Sequence, residues 1–108
     1  MNLPTEVFGD VVVVHTPEEL NADQADAVRS FIAGLEQQQV VLDVDNTETL
    51  DSAGLAVLLD AQDLLREEAG DLKVATTGAV NRKIFEITRI DEQLEVFDSV
   101  LEAVKSFS

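Results

Sequence analysis

The clearest feature of the chain is an unbroken apolar run, Val11-Val12-Val13-Val14, set between the Gly9-Asp10 turn and Thr16-Pro17. Consecutive β-branched residues of this kind suit a strand buried on both faces. Before it, Met1 to Phe8 reads as a short edge strand weakened by Pro4. After it, Ala25, Val28, Ile32 and Leu35 recur at helical spacing with Phe31 alongside. That pattern predicts a helix from about Ala22 to Gln37, with Asn21 as its N-cap. Val40, Val41, Leu42 and Val44 form the next apolar strand, and a loop from Asp45 to Asp51 follows. A second helix is predicted from near Ser52 to about Ala69, where Gly70 stops it. Leu55, Leu58, Leu59 and Leu65 lie on one face of it, with Gln62 the polar exception. Leu72 to Thr76 reads as a strand, and Thr77-Gly78 turns into a third helix from about Ala79 to Thr88. Leu94 to Phe97 reads as a last short strand. Asp98 then caps a terminal helix carrying Val100, Leu101, Val104 and Phe107.

The predicted order is β-β-α-β-α-β-α-β-α, an α/β class. It implies a mixed, mostly parallel sheet of about four to five strands with about four helices, in a single domain over residues 1–108. Functional sites in such folds gather where strands end and helices begin. Two junctions of that kind stand out, at residues 15–22 and 43–55.

Charge narrows the functional classes. The 22 Asp and Glu residues against 7 Lys and Arg give a formal net charge of -15. That balance argues against nucleic acid as a partner and against direct binding to anionic lipid. It also favours a monomer. With no Cys and a single His, thiolate chemistry and multi-histidine metal sites are excluded, and no cofactor is implied. No apolar run approaches the roughly 18 residues of a membrane span. Met1 to Phe8 lacks the basic and apolar regions of a secretory signal, so a cytoplasmic location is expected. Most of the excess acid falls in residues 1–54, whose only base is Arg29, whereas Arg82, Lys83 and Arg89 sit close together later in the chain and read as a solvated helix face.

The 43–55 junction contains D-x-D-x-T, formed by Asp43, Asp45 and Thr47 after an apolar strand. It resembles the nucleophile motif of haloacid-dehalogenase-type phosphatases, in which Asp43 would attack phosphorus and Asp45 would act as acid/base beside Mg²⁺. The likeness covers seven residues in mid-chain, and residues 71–108 offer no paired-carboxylate motif after a convincing strand. A buried strand whose acids turn outward at its end accounts for the same residues. A calcium loop starting at Asp43 fails, because Glu48 stands where the glycine is needed and Gly54 where the glutamate is needed. His15 has no nucleophile near it in sequence and reads as structural or solvent-facing. The five Phe residues read as packing groups.

The second half of the junction, Asp51-Ser52-Ala53-Gly54-Leu55, is more informative. Ser52 is expected at the N-cap of the second helix, where its hydroxyl would bond the Leu55 amide. It is also a candidate phosphorylation site, because a phosphate there meets the positive end of the helix. Gly54 removes side-chain bulk beside it, while Asp43, Asp45 and Asp51 make the neighbourhood negative.

Taken with the element order from about Val11 to Phe107, this motif resembles the STAS domains, and more narrowly the bacterial anti-sigma-factor antagonists. In those proteins Asp-Ser-(Ser/Thr/Ala)-Gly-Leu opens the helix after a hydrophobic strand and loop. The resemblance implies no catalytic residue and no metal. It implies partner switching, in which the unphosphorylated protein binds an anti-sigma factor that is also a GHKL-type serine kinase and so frees a sigma factor. The kinase then phosphorylates the serine, here Ser52, and a serine phosphatase resets it. Asp51 would shape the site, Ala53 replaces a frequent second hydroxyl, and Gly54 would let the partner approach. Asn21 aligns with a position that is often acidic, within Glu18-Glu19-Leu20-Asn21 where many members have Gly-x-Leu-Asp. The alternative within the resemblance is a STAS accessory subunit of a membrane lipid-transport ABC complex.

Overall fold

The valine run lies deep in the sheet and divides its side chains between two cores. Val12 and Val14 join one apolar cluster and Val11 and Val13 another, as alternation along a strand requires. The computed structural model describes residues 1–107. Its strands are β1 (Thr5–Phe8), β2 (Val11–His15), β3 (Glu19–Leu20), β4 (Gln39–Asp43), β5 (Thr49–Leu50), β6 (Asp71–Ala75) and β7 (Val96–Phe97). Its helices are α1 (Ala22–Ala33), α2 (Ser52–Glu67), α3 (Ala79–Ile87) and α4 (Val100–Lys105), with a short 3-10 turn at Ile90–Glu92. The main sheet has five strands in the order β1-β2-β4-β6-β7. β1 is antiparallel to β2, and the other neighbours are parallel. β3 and β5 form a separate parallel pair. The architecture is therefore the α/β class expected, with a mixed, mostly parallel sheet and four helices.

The larger core lies between the sheet and α1, α2 and α3. Val12, Val14, Val40, Leu42, Leu72 and Val74 meet Val28, Ile32, Val57, Leu58, Leu65 and Phe85 there. The other face is covered by α4, with Ala103 buried among Val11, Val13, Val41 and Ala75. Lys73 points to this second face and is buried. Its ammonium bonds Ser106 Oγ at 2.8 Å and lies 4.4 Å from the centre of the Phe107 ring. An ammonium shielded from water needs such partners, and these hold the end of α4 to the sheet.

Several element ends differ from the sequence expectation. α1 stops at Ala33 because Gly34, a poor helix former, closes the last turn with its amide on the Ser30 and Phe31 carbonyls. α4 is capped by Ser99, whose Oγ accepts from the Glu102 amide; Asp98 pairs with Arg82 instead, at 2.6 Å. The last strand contracts to Val96–Phe97, and Leu94 is buried in the main core. α2 ends at Glu67, and the left-handed residue after it is Ala69, with φ 64°, rather than Gly70. Gly70 is needed for another reason: a Cβ there would lie 2.0 Å from the Gln38 carbonyl oxygen. The Gly70 amide bonds Leu65 O and the Ala69 amide bonds Arg66 O, the pattern of a Schellman end.

Ala69→Gly is therefore expected to raise the unfolding free energy by about 0.5–1 kcal/mol, since left-handed strain of about 1–2 kcal/mol exceeds the entropy that glycine adds to the unfolded chain. Gly70→Ala is expected to lower it by about 3 kcal/mol through overpacking. Urea unfolding midpoints check both, and a destabilised Ala69→Gly would contradict the assignment of strain to Ala69.

Candidate functional site

The two junctions singled out in the sequence are one site, because β3 and β5 zip them together. The pair is in register Glu19↔Thr49 and Leu20↔Leu50. Upstream, the Glu18 carbonyl accepts the Glu48 amide at 2.8 Å and the Thr49 amide at 3.2 Å. Beneath it, the buried Thr47 hydroxyl donates to Pro17 O at 2.6 Å and accepts from the Thr16 hydroxyl, also at 2.6 Å. Two-residue strands carry no periodicity, so neither is predicted from the sequence.

The next residue after each strand is a helix cap. Asn21 Oδ1 accepts from the Asp23 amide at 3.0 Å and starts α1, as expected. At α2 the cap is Asp51, not Ser52: Asp51 Oδ1 accepts from the Gly54 amide at 3.0 Å. Asp51 has the extended backbone of an N-cap, whereas Ser52 is already the first helical residue. Both residues have capping side chains, and chain direction at β5 decides between them. Ser52 is exposed at the helix start, Ala53 is half-buried and Gly54 is buried.

Gly54 faces inward. A Cβ on it would lie 2.1 Å from the Leu20 carbonyl oxygen and 3.1 Å from Leu20 Cγ. The expectation that Gly54 clears space for a partner therefore gives way to an internal role: it lets the first turn of α2 seat against β3. Asn21, Asp51 and Ser52 are brought to one edge of the molecule, Ala53 lies half-buried beside them, and Gly54 lies beneath.

The D-x-D-x-T acids are held in structural bonds. Asp43 Oδ1 accepts the Asp45 amide at 3.0 Å, and its Oδ2 lies 3.0 Å from His15 Nδ1. His15 Nε2 lies 2.8 Å from Glu6 Oε1, so this half-buried ring links β1 to the end of β4. The Asp45 carboxylate accepts from the Thr76 hydroxyl, the Thr77 amide and the Thr77 hydroxyl, at 3.1, 2.7 and 3.0 Å. These bonds tie the β4 and β6 loops to each other and engage both oxygens of the Asp45 carboxylate. Among the described residues, no group of three or more His, Asp or Glu side chains is placed to hold a metal.

One positioning residue was missed by sequence reading. Asn81 is buried in α3, and its side-chain amide donates to Val44 O at 3.1 Å and Thr47 O at 3.0 Å. It ties α3 to the loop leading to β5. The available signal was a polar side chain four residues before Phe85 on the inward face of a short helix.

The STAS domain family profile matches residues 2–103. The chain is a member of the STAS domain family. An anti-sigma F factor antagonist from Paenibacillus polymyxa is 24% identical over 110 residues, spanning 96% of this chain and 94% of that protein. A candidate anti-sigma factor antagonist from Thermotoga maritima, 18% identical, superposes with a TM-score of 0.86 over 96% of this chain and 92% of its own. The Bacillus cell fate determinant SpoIIAA is also similar. Its unphosphorylated form is 17% identical, with a TM-score of 0.77 over 98% of this STAS domain and 96% of that chain. Its phosphorylated form is 18% identical, with a TM-score of 0.72 over 99% and 100% respectively.

The capping geometry orders three substitutions. Asp51→Ala is expected to cost about 1 kcal/mol of stability, the usual worth of an N-cap. Ser52→Ala is expected to stay within about 0.5 kcal/mol of wild type, as for an exposed residue without a capping role. Gly54→Ala is expected to cost about 3 kcal/mol or to prevent folding, because α2 must move off Leu20. Denaturant titration ranks them, and a Ser52→Ala loss larger than that of Asp51→Ala would return the cap to Ser52.

Proposed function

We propose that the chain is an anti-sigma factor antagonist whose switch is phosphorylation of Ser52. The observation that carries this reading is the division of work at the start of α2. Asp51 caps the helix, so the Ser52 hydroxyl is exposed and has no capping duty. The name of the Paenibacillus polymyxa relative and the two recorded states of SpoIIAA support the same reading.

In this reading the chain is a binding module and a kinase substrate. Its unmodified surface around Asn21, Asp51, Ser52 and Ala53 docks on an anti-sigma factor that is a GHKL-type serine kinase. Docking frees the sigma factor. Transfer of phosphate to Ser52 adds about -1.5 to -2 charge at pH 7 and three strong acceptor oxygens. The phosphate sits beside Asp51, with Asp23 on the adjoining α1 turn, in a chain already at -15. Repulsion and the cost of stripping water from a dianion then oppose docking, and a serine phosphatase restores the binding form. The start of α2 itself tolerates the phosphate, because free amides and the helix dipole favour negative charge there.

The test uses the cognate anti-sigma factor kinase, purified, with ATP. One phosphate on Ser52 by mass spectrometry is expected, with affinity for the kinase falling at least tenfold in the phosphoprotein. Ser52→Ala is expected to bind like the unmodified wild type and to take no phosphate. Phosphate on another residue, or equal affinity of both forms, would sink the switch. Recovery of membrane ATPase subunits equally by wild type and Ser52→Asp would point instead to the transport-complex role.

A further inference from the structure

β1 is an edge that the fold leaves open. It stands at one end of the five-stranded sheet, and all four of its residues are exposed. The hairpin settles which way its backbone points. The His15 amide donates to the Pro4 carbonyl at 3.0 Å, which turns Pro4 toward β2. β1 then pairs with β2 residue for residue, from Thr5↔Val14 to Phe8↔Val11, without a bulge. In an antiparallel ladder the bonding direction alternates, so Glu6 and Phe8 also bond β2. The amide and carbonyl groups of Thr5 and Val7 face away from the sheet, a template for another strand.

Edge strands are commonly guarded by lysine, proline, a bulge or a covering element. Here no Lys or Arg precedes Arg29. Pro4 lacks its amide on the inner side, where it does not obstruct an incoming strand. The opposite edge, β7, offers only two residues, both half-buried.

Two further observations say what fits on β1. The first is the pattern of its side chains. Val7 is 57% exposed and Phe8 44%. Val7 lies beside Val12 on one face of the sheet and Phe8 beside Val11 on the other, so an added strand gains apolar contact on both. The second is charge. Glu6, more than half exposed, has its Oε1 2.8 Å from His15 Nε2, and His15 Nδ1 lies 3.0 Å from Asp43 Oδ2. The carboxylate is thereby positioned along the edge. Asp10 in the hairpin turn adds a second acid.

We infer that β1 is a docking edge for an extended segment of a partner protein, which joins the sheet as an added strand. The segment bonds the outward backbone of Thr5 and Val7. It sets β-branched or aromatic residues beside Val7 and Phe8 and a lysine or arginine beside Glu6. A second copy of this chain fits less well, since it brings another -15 to the contact. An anionic lipid surface is opposed by the same charge.

The test titrates the nitrogen-labelled full chain with a short end-capped peptide in which a lysine is followed by valine and isoleucine. A control peptide carries the same side chains and charge but is N-methylated along its backbone, so it cannot form the ladder. The Thr5 and Val7 amides are expected to shift most and to gain protection from exchange. The control is expected to bind at least tenfold more weakly. Val7→Pro, which deletes one outward donor and leaves the bonds to β2, is expected to weaken binding at least tenfold. Val7→Lys, which keeps the donor but repels a basic segment, is expected to do the same. Circular dichroism with a thermal melt verifies that each variant folds. Glu6→Gln is expected to weaken binding about threefold at low salt, with a difference that shrinks as salt rises. No binding at millimolar peptide overturns the inference, as does a control or a folded Val7 variant within tenfold of wild type. A Glu6→Gln affinity equal to wild type at low salt also overturns it. A concentration-dependent dimer of the chain alone, broken by Val7→Pro, assigns the edge to self-association and overturns it as well.

Discussion

The arrangement of the site depends on one close approach: the first turn of α2 against the backbone of β3. Gly54 sits so near the Leu20 carbonyl that a single methyl group would overlap it. Because α2 can seat there, β5 reaches β3 and pairs with it, and the Thr16–Thr47–Pro17 hydroxyl chain is sealed beneath. Because β3 and β5 are parallel and in register, the residue following each is a helix start. Asn21 and Asp51 are therefore neighbours by geometry although thirty positions separate them in the chain. Remove the approach and the two junctions become independent loops.

The acids of this region divide by what they bond. Asp43 accepts the Asp45 amide and lies beside His15, and Asp45 accepts from Thr76 and Thr77, so the ends of β4 and β6 are closed. Asp51 closes the start of α2. All three are bonded within the scaffold, and Asp51 is the one that adjoins Ser52. For the proposed switch, a carboxylate fixed by its cap bond keeps its charge beside Ser52, whereas a mobile one would swing aside from an added phosphate. The stability of α2 lies elsewhere, in Val57, Leu58, Ala61 and Leu65 buried against the sheet. Charge at the exposed first residue of the helix is thereby separated from the packing that keeps it folded.

Periodicity read the large elements well. The valine run, the α1 and α2 stripes and the strand after Gly70 all stand near their predicted positions, because burial of one face dominates such segments. The motif Asp51 to Leu55 marks the candidate site, and in the sequence the two junctions stand apart. What sequence did not disclose is what depends on contacts between distant segments. β3 and β5 exist only as a pair, Asn81 is explained only by the Val44 and Thr47 carbonyls, and Lys73 only by Ser106 and Phe107. The cap was misplaced by one residue for a related reason. Asp and Ser are both good caps, and the direction in which β5 delivers the chain selects Asp51. Gly70 was recognised as a helix-ending glycine, yet the left-handed residue is Ala69, since close packing on Gln38 claims the glycine.

A one-residue shift of the cap changes the logic of the proposed switch. Were Ser52 the cap, its modification would remove a helix-terminal hydrogen bond, and regulation would be coupled to fraying of α2. With Asp51 as the cap, that bond survives phosphorylation, and the added charge acts on whatever lies outside the helix. On the proposed reading the domain has two states of one fold that differ in surface potential, not in shape. A fold indifferent to the modification requires the partner to read charge directly, at the edge where Asn21, Asp51 and Ser52 meet. It also leaves contacts remote from that edge unchanged between the two states.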